Sequence, residues 1–239
     1  MMTLFSVVGN TQQTNNDIDF EVYRVYPSFS FTKVEIEDVA TIEDLNPHYK
    51  SSWVKEFHSV DITAQRDGEM VTVSTTSDRL NATQKSLLLE ADDLSPFKVE
   101  IHYMPDNTLS HNDPKYFSFE GVIDADQDAT FRGGEGELHS YIEKAVMDKI
   151  QQKELEGQNL AVVTFSVQDN GSIDNVKLTE SSEDDSIDNL LVEAVCNMKD
   201  WLPASTTSGT KVSQDYVLTY GNLRSCKMNF YNTRWLKSE

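Results

Sequence analysis

Asp124-x-Asp126-x-Asp128-x-Thr130-x-Arg132-x-x-Glu135 is the stretch of this chain with the most capacity for chemistry. Its side chains at positions one, three, five, seven and twelve approach the spacing of a calcium loop. Two features argue against that use. The sixth position, where such loops need glycine for a sharp turn, is Ala129, and the upstream segment reads as a strand where an entering helix is required. The run therefore reads as an acidic interdomain linker leading into a helix whose first turn gains from Glu135 and Glu137, and no metal is expected. The histidines His48, His58, His102, His111 and His139 form no H-x-x-x-H pair and have no cysteine at ligand spacing. No G-x-S-x-G, phosphate-loop or dinucleotide glycine pattern is present, and Gly133-Gly134 lacks a following Lys-Ser/Thr. With 40 acidic residues, pairing any two as acid and base would be arbitrary. The chain reads as non-enzymatic, with no catalytic residue and no cofactor.

Composition narrows the partners. A net charge of −20 repels nucleic acid and anionic membrane surfaces, so neither is expected as a partner. The 239 residues, 38% hydrophobic, suit two modest cores better than one large one. Met2 to Gly9, followed by a polar run to Asn16, reads as a signal remnant or a disordered tail, and points to a periplasmic or secreted setting. Cys196 and Cys226 are too few for a disulfide framework or a metal cluster. Cys196 is expected as a small buried hydrophobe on a helix, and a bridge to Cys226 stays open in an oxidising compartment.

The elements that would position a binding surface are clearest in the second half. Ala161, Val163, Phe165 and Val167 alternate on one face of a strand, Asp169-Asn170-Gly171-Ser172 supplies a tight turn, and Ile173 to Leu178 returns. The acidic run Ser181 to Ser186 suits a helix start, and Ile187, Leu190, Leu191, Ala194, Val195 and Met198 form its apolar stripe. Pro203 stops that helix, and Lys211 to Tyr220 reads as a long closing strand. Together with Phe131-Arg132-Gly133-Gly134, Glu156-Gly157-Gln158, Trp201-x-Pro203, Gly209 and Val212, this order resembles the C-terminal domain of TonB-type energy transducers, in particular the Bacteroidetes version. The likeness covers roughly Phe131 to Gly221, and the family usually carries proline where Arg132 stands.

The resemblance implies an α+β domain that captures an extended segment of an outer-membrane receptor on a sheet edge. By it, the partner-binding edge is Val212, Gln214, Tyr216, Val217, Leu218, Thr219 and Tyr220, with Tyr216, Leu218 and Tyr220 on one face and Val217 and Thr219 on the other. A transducer also has a membrane helix and a proline-rich spacer. Here the N-terminal apolar segment Met1 to Val8 is far short of the roughly 20 residues a span needs, and the six prolines are scattered. The protein is accordingly not expected to span a membrane itself. Two alternatives remain: a scaffold or accessory subunit whose edges pair internally, and a carbohydrate or peptidoglycan module using Tyr103, Trp201, Tyr231 and Trp235.

The first half repeats the grammar. Val60 to Ala64, a turn at Gly68, and Met70 to Thr75 form a hairpin, and Gly68 lies 103 positions before Gly171. Asn81 caps a helix bearing Leu87, Leu88, Ala91 and Leu94, and Tyr116 to Gly121 parallels Tyr216 to Gly221. Tyr49, Trp53 and Phe57 at four-residue spacing suggest a helix over Ile42 to Phe57. The expectation is two tandem TonB-C-like domains, each a small antiparallel sheet of about three strands packed on helices. They would occupy 20–123 and 131–224, joined by a linker at 124–130, with a tail at 225–239. Phe20 to Tyr26 and Phe29 to Ile36 are expected as extra edge strands.

Overall fold

The computed structural model describes residues 18–109, 112–150 and 159–221. The N-terminal signal-like stretch, Cys226, Tyr231, Trp235 and the C-terminal tail lie outside them. The fold is α+β, with the two larger sheets each carrying its own buried cluster.

The chain opens with β1 (Asp19–Arg24) and the short β2 (Ser30–Phe31). Phe29 to Ile36 does not continue as a strand. Thr32 accepts from the Glu35 amide while Glu35 reaches back to the Thr32 amide, and this capping box starts α1 (Lys33–Asp38). Thr41 and Asp44 repeat the device at α2 (Ile42–Leu45). The helix expected over Ile42 to Phe57 therefore ends after one turn. Following a 3-10 turn at Ser51–Trp53, the chain is already extended in β3 (Val54–Arg66), so Phe57 belongs to a strand. Next come β4 (Glu69–Thr75), α3 (Ala82–Leu89), β5 (Pro96–Pro105) and β6 (Lys115–Ile123). The first sheet runs β2-β6-β5-β3-β4. Val60, Ile62, Ala64, Phe97, Val99 and Ile101 are buried in the cluster that also takes in Leu87 and Leu88 of α3. The buried Gln84 amide of α3 is satisfied by the Val60 carbonyl at 3.1 Å.

The second half consists of β7 (Thr130–Phe131), α4 (Glu135–Ala145), β8 (Ala161–Val167), β9 (Ile173–Glu180), α5 (Asp185–Cys196), the two-residue strands β10 (Trp201–Leu202), β11 (Ala204–Ser205) and β12 (Lys211–Val212), and β13 (Gln214–Gly221). Asp184 caps α5 by accepting from the Ser186 and Ile187 amides. Helices α4 and α5 are joined by the Tyr141 hydroxyl, which donates to the Ala194 carbonyl at 2.8 Å. Trp201 is core, with Tyr216, Phe131 and Phe165 rings 4.8, 5.7 and 6.1 Å from it. Cys196 is not buried as expected: it lies exposed at the last position of α5, on the side away from the apolar stripe.

Two sequence expectations change when the pairings are read. The unit β3-β4-α3-β5 has the same order and antiparallel pairing as β8-β9-α5-β13, so β5 takes the closing place in the first half and Tyr116 to Gly121, in β6, lies one strand further out. The second change concerns β1, which does not belong to the first sheet. It pairs antiparallel with β13, giving the order β1-β13-β8-β9, and Phe20 is buried in the second cluster. Among the described residues no helix is long and apolar enough to cross a membrane.

The two hairpin turns predict different costs for the same change. Gly68 and Gly171 both have positive φ, +81° and +80°. A Cβ on Gly68 meets nothing within 4 Å, whereas one on Gly171 would lie 2.4 Å from the Trp201 carbonyl oxygen. Gly68→Ala should cost about 1 kcal/mol, the left-handed backbone penalty alone. Gly171→Ala should cost about 3 kcal/mol, because a backbone atom must also move. Urea denaturation of the two variants checks this, and equal losses would count against the packing of the second turn on Trp201.

Candidate functional site

The seven residues expected to form a partner-binding edge do not form one open edge. Val212 sits in β12 and pairs with Ala204, and Gln214 pairs with Val167 alone. The other five, Tyr216 to Tyr220, are bridged on both sides: Val217 faces Thr164 of β8 and Tyr23 of β1, and Leu218 faces Val163 and Val22. The resemblance implied an edge here, and the nearest segments in sequence do leave the outer side of this strand open. Its occupant comes from some 200 positions away.

The faces are as the alternation implies. Tyr216, Leu218 and Tyr220 join the helix-side cluster, and Val217 and Thr219 point the other way. From Tyr216 to Tyr220 both faces are buried, with Val217 at 0% and Thr219 at 5% exposure, so this part of β13 is central on every side. A proline at Val217 would accordingly break a central ladder and could not leave the fold intact.

What holds β1 in place is divided between apolar and ionic contacts. Phe20, Val22 and Arg24 alternate toward the helix side, each opposite Tyr220, Leu218 and Tyr216 in turn. Phe20 is buried with its ring centroid 4.6 Å from that of His139 on α4. Burying a side chain of that size contributes about 2 kcal/mol. Arg24 is 8% exposed, and its guanidinium is gripped by Asp124 at 2.5 Å and by Asp128, with the Tyr26 ring 4.4 Å from its Cζ. Burial opposes the charge, but the hydrogen bond and charge of Asp124, then the charge of Asp128, raise the guanidinium pKa. A buried ion pair contributes little net stability once desolvation is counted. Phe20 therefore anchors the strand, and Arg24 fixes its register.

The acidic run is not the free linker expected from the sequence, because its carboxylates are engaged by other parts of the chain. Asp124 and Asp128 converge on Arg24, while Asp126 accepts from Thr207 Oγ1 at 2.5 Å. Among the described residues no group of histidine, cysteine or carboxylate side chains could hold a metal. Asp128 also accepts from the Tyr26 hydroxyl at 2.8 Å and from Gln214 Nε2 at 3.1 Å. Gln214 Oε1 in turn accepts from the Ala129 amide, and the Tyr216 hydroxyl donates to the Ala129 carbonyl. Burial and then the Asp128 charge push that hydroxyl's pKa up, so it remains a donor. The segment 124–129 is in this way stitched to β13 and β1 together. Sequence reasoning missed Phe20 and Arg24 as site residues and weighed Asp124 and Asp128 only as positions of a cation loop or linker. One signal was available: an arginine at the third inward position of an otherwise apolar alternation.

Residues 136–218 match the model of a protein family described as TonB C terminal. No curated protein and no solved structure matches the chain. The match begins at residue 136, so it does not extend to the second copy expected in the first half.

Arg24→Met would leave Asp124, 2% exposed, with its buried charge uncompensated. It should cost about 3 kcal/mol. Adding Asp124→Asn should restore a measurable part of the loss. A double-mutant cycle by chemical denaturation reads the coupling, and additive losses would show that the two groups do not interact.

Proposed function

With residues 136–218 forming a TonB C-terminal domain, a family of non-catalytic interaction domains of the cell envelope, we propose that this protein recognises an extended segment of a partner protein along the backbone of β13. On this reading the partner is an outer-membrane receptor of TonB-dependent transport, and the protein works on the periplasmic side. The observation that supports it most is that β13 already holds an extended segment: Asp19 to Arg24 lies along it in six consecutive paired positions. An extended peptide adds to a sheet by this geometry, with main-chain hydrogen bonds giving affinity and alternate side chains giving selectivity.

The scaffold reading has the same observation in its favour, since a protein that pairs its own edges internally needs no partner there. The two differ in whether β1 can yield its place. The carbohydrate reading loses its main support, because Trp201 is 6% exposed and packed in the core.

Glu21→Pro removes a ladder donor from β1, since the Val25–Asp215 bond places the bonded pairs at the odd positions of β1, and leaves β13 untouched. Synthetic peptides copying the periplasmic N-terminal segments of outer-membrane receptors, titrated by fluorescence anisotropy, should bind the full Glu21→Pro chain at least tenfold more tightly than the unaltered one. Circular dichroism checks that the variant stays folded. Absence of binding to the folded variant by every such peptide would favour the scaffold.

A further inference from the structure

The slot beside β13 has a side-chain code that its present occupant spells out. From the identity of that occupant and the groups that receive it, we infer that the slot selects extended segments carrying an aromatic, an aliphatic and an arginine side chain at alternate positions, and that β1 is its exchangeable built-in occupant. This rests on the reading of β13 as the recognition strand and specifies what that strand recognises.

Three receiving positions define the code. The aromatic place is where Phe20 lies against His139, in the cluster shared with Leu138 and Tyr220. The aliphatic place is where Val22 packs opposite Leu218. The third place is acidic. Asp124 and Asp128 both belong to the segment that follows the first sheet, so they stay behind when β1 leaves, and two carboxylates then face an empty cation site. Arginine fits two separated carboxylates as a fork of donors, where lysine offers a single point charge. The outward residues Asp19 and Glu21 are exposed and contribute no such selection.

The other sheet shows why this slot, and not its counterpart, is exchangeable. Beside β5 the same position is filled by β6, which follows it directly in the chain and pairs over eight positions. Beside β13 the filler is separated by most of the chain and pairs over six. It is joined to the first sheet through residues 25–29, two of which, Pro27 and Ser28, are exposed. A hairpin neighbour reforms as soon as it opens, but a distant strand closes a long loop at greater entropic cost. The tether still gives β1 an effective concentration on the order of millimolar, so a free peptide competes poorly until β1 is released. The slot is therefore closed by default and selective when opened.

Strand exchange tests this. A protease site placed between Pro27 and Ser28 of the full chain allows β1 to be cut from its tether after folding. A fluorescent peptide spanning Asp19 to Tyr26 is then added and followed by anisotropy. The cut protein should take up the peptide at least tenfold more tightly than the uncut one and release its own N-terminal fragment. Peptides carrying Phe20→Ala, Arg24→Met or Arg24→Lys should bind at least tenfold more weakly, and one carrying Glu21→Lys should bind within twofold of the original. Equal binding by all of them, or no uptake by a cut protein that stays folded, overturns the inference. So does unfolding on release of β1 that added peptide does not reverse, because a slot that exists only when covalently filled is not a binding site. Uptake of these peptides when every receptor peptide fails would leave the code standing and remove the receptor as the partner.

Discussion

Every backbone amide and carbonyl of β13 has to be paired, and this constraint organises the second half of the molecule. From Tyr216 to Tyr220 the side chains of the strand are buried on both faces, so water cannot easily substitute along an open side. A buried polar group left unpaired costs about 1–3 kcal/mol, and an outer row of them would offset a large part of the stability of a domain this size. Pairing β1 along β13 removes that cost. It also obliges the chain to begin its described course in the second sheet before it builds the first.

That crossing explains the charge pattern between the two sheets. Once β1 lies on β13, its inward alternation carries Arg24 into a place with little water, where a guanidinium must meet anions. Asp124 and Asp128 supply them at the point where the chain leaves the first sheet. Carboxylate spacing that resembles a cation loop thus serves a cation after all, one covalently part of the same chain. Gln214 and the Tyr216 hydroxyl extend the network to Ala129, so the segment between the sheets is set by hydrogen bonds and is not a spacer.

The two sheets share a wiring and differ in how they protect their closing strand. In the first, the next strand in sequence folds back, and in the second a segment from the far end of the chain arrives. Local closure is hard to reverse, while distant closure leaves a strand held, beyond its backbone pairing, by one aromatic anchor, one aliphatic contact and the two ion pairs of Arg24. The same geometry suits a self-contained scaffold and a guarded recognition surface, and how readily β1 leaves separates them.

Much of the local structure follows from the sequence alone. Period-two alternation and Asn170-Gly171 define the β8–β9 hairpin, the three-and-four spacing from Ile187 defines α5, and Asn81 caps α3 as its side chain requires. These depend on contacts within a few residues, and each type of element has one period. The helix expected over Ile42 to Phe57 failed because aromatic residues at four-residue spacing also suit a strand leaving a short turn, and the β-propensity of the following run prevailed. The sheet neighbours that are distant in the chain could not be read. Strand pairing joins residues such as Phe20 and Tyr220 that carry no mutual signal in one sequence, since any alternating segment offers the same backbone donors and acceptors. The closing strand and its two faces were therefore a property of the sequence by itself. That its outer side belongs to β1, and that Asp124 and Asp128 belong to Arg24, only tertiary structure decided, because those choices depend on which distant segment buries its side chains best there.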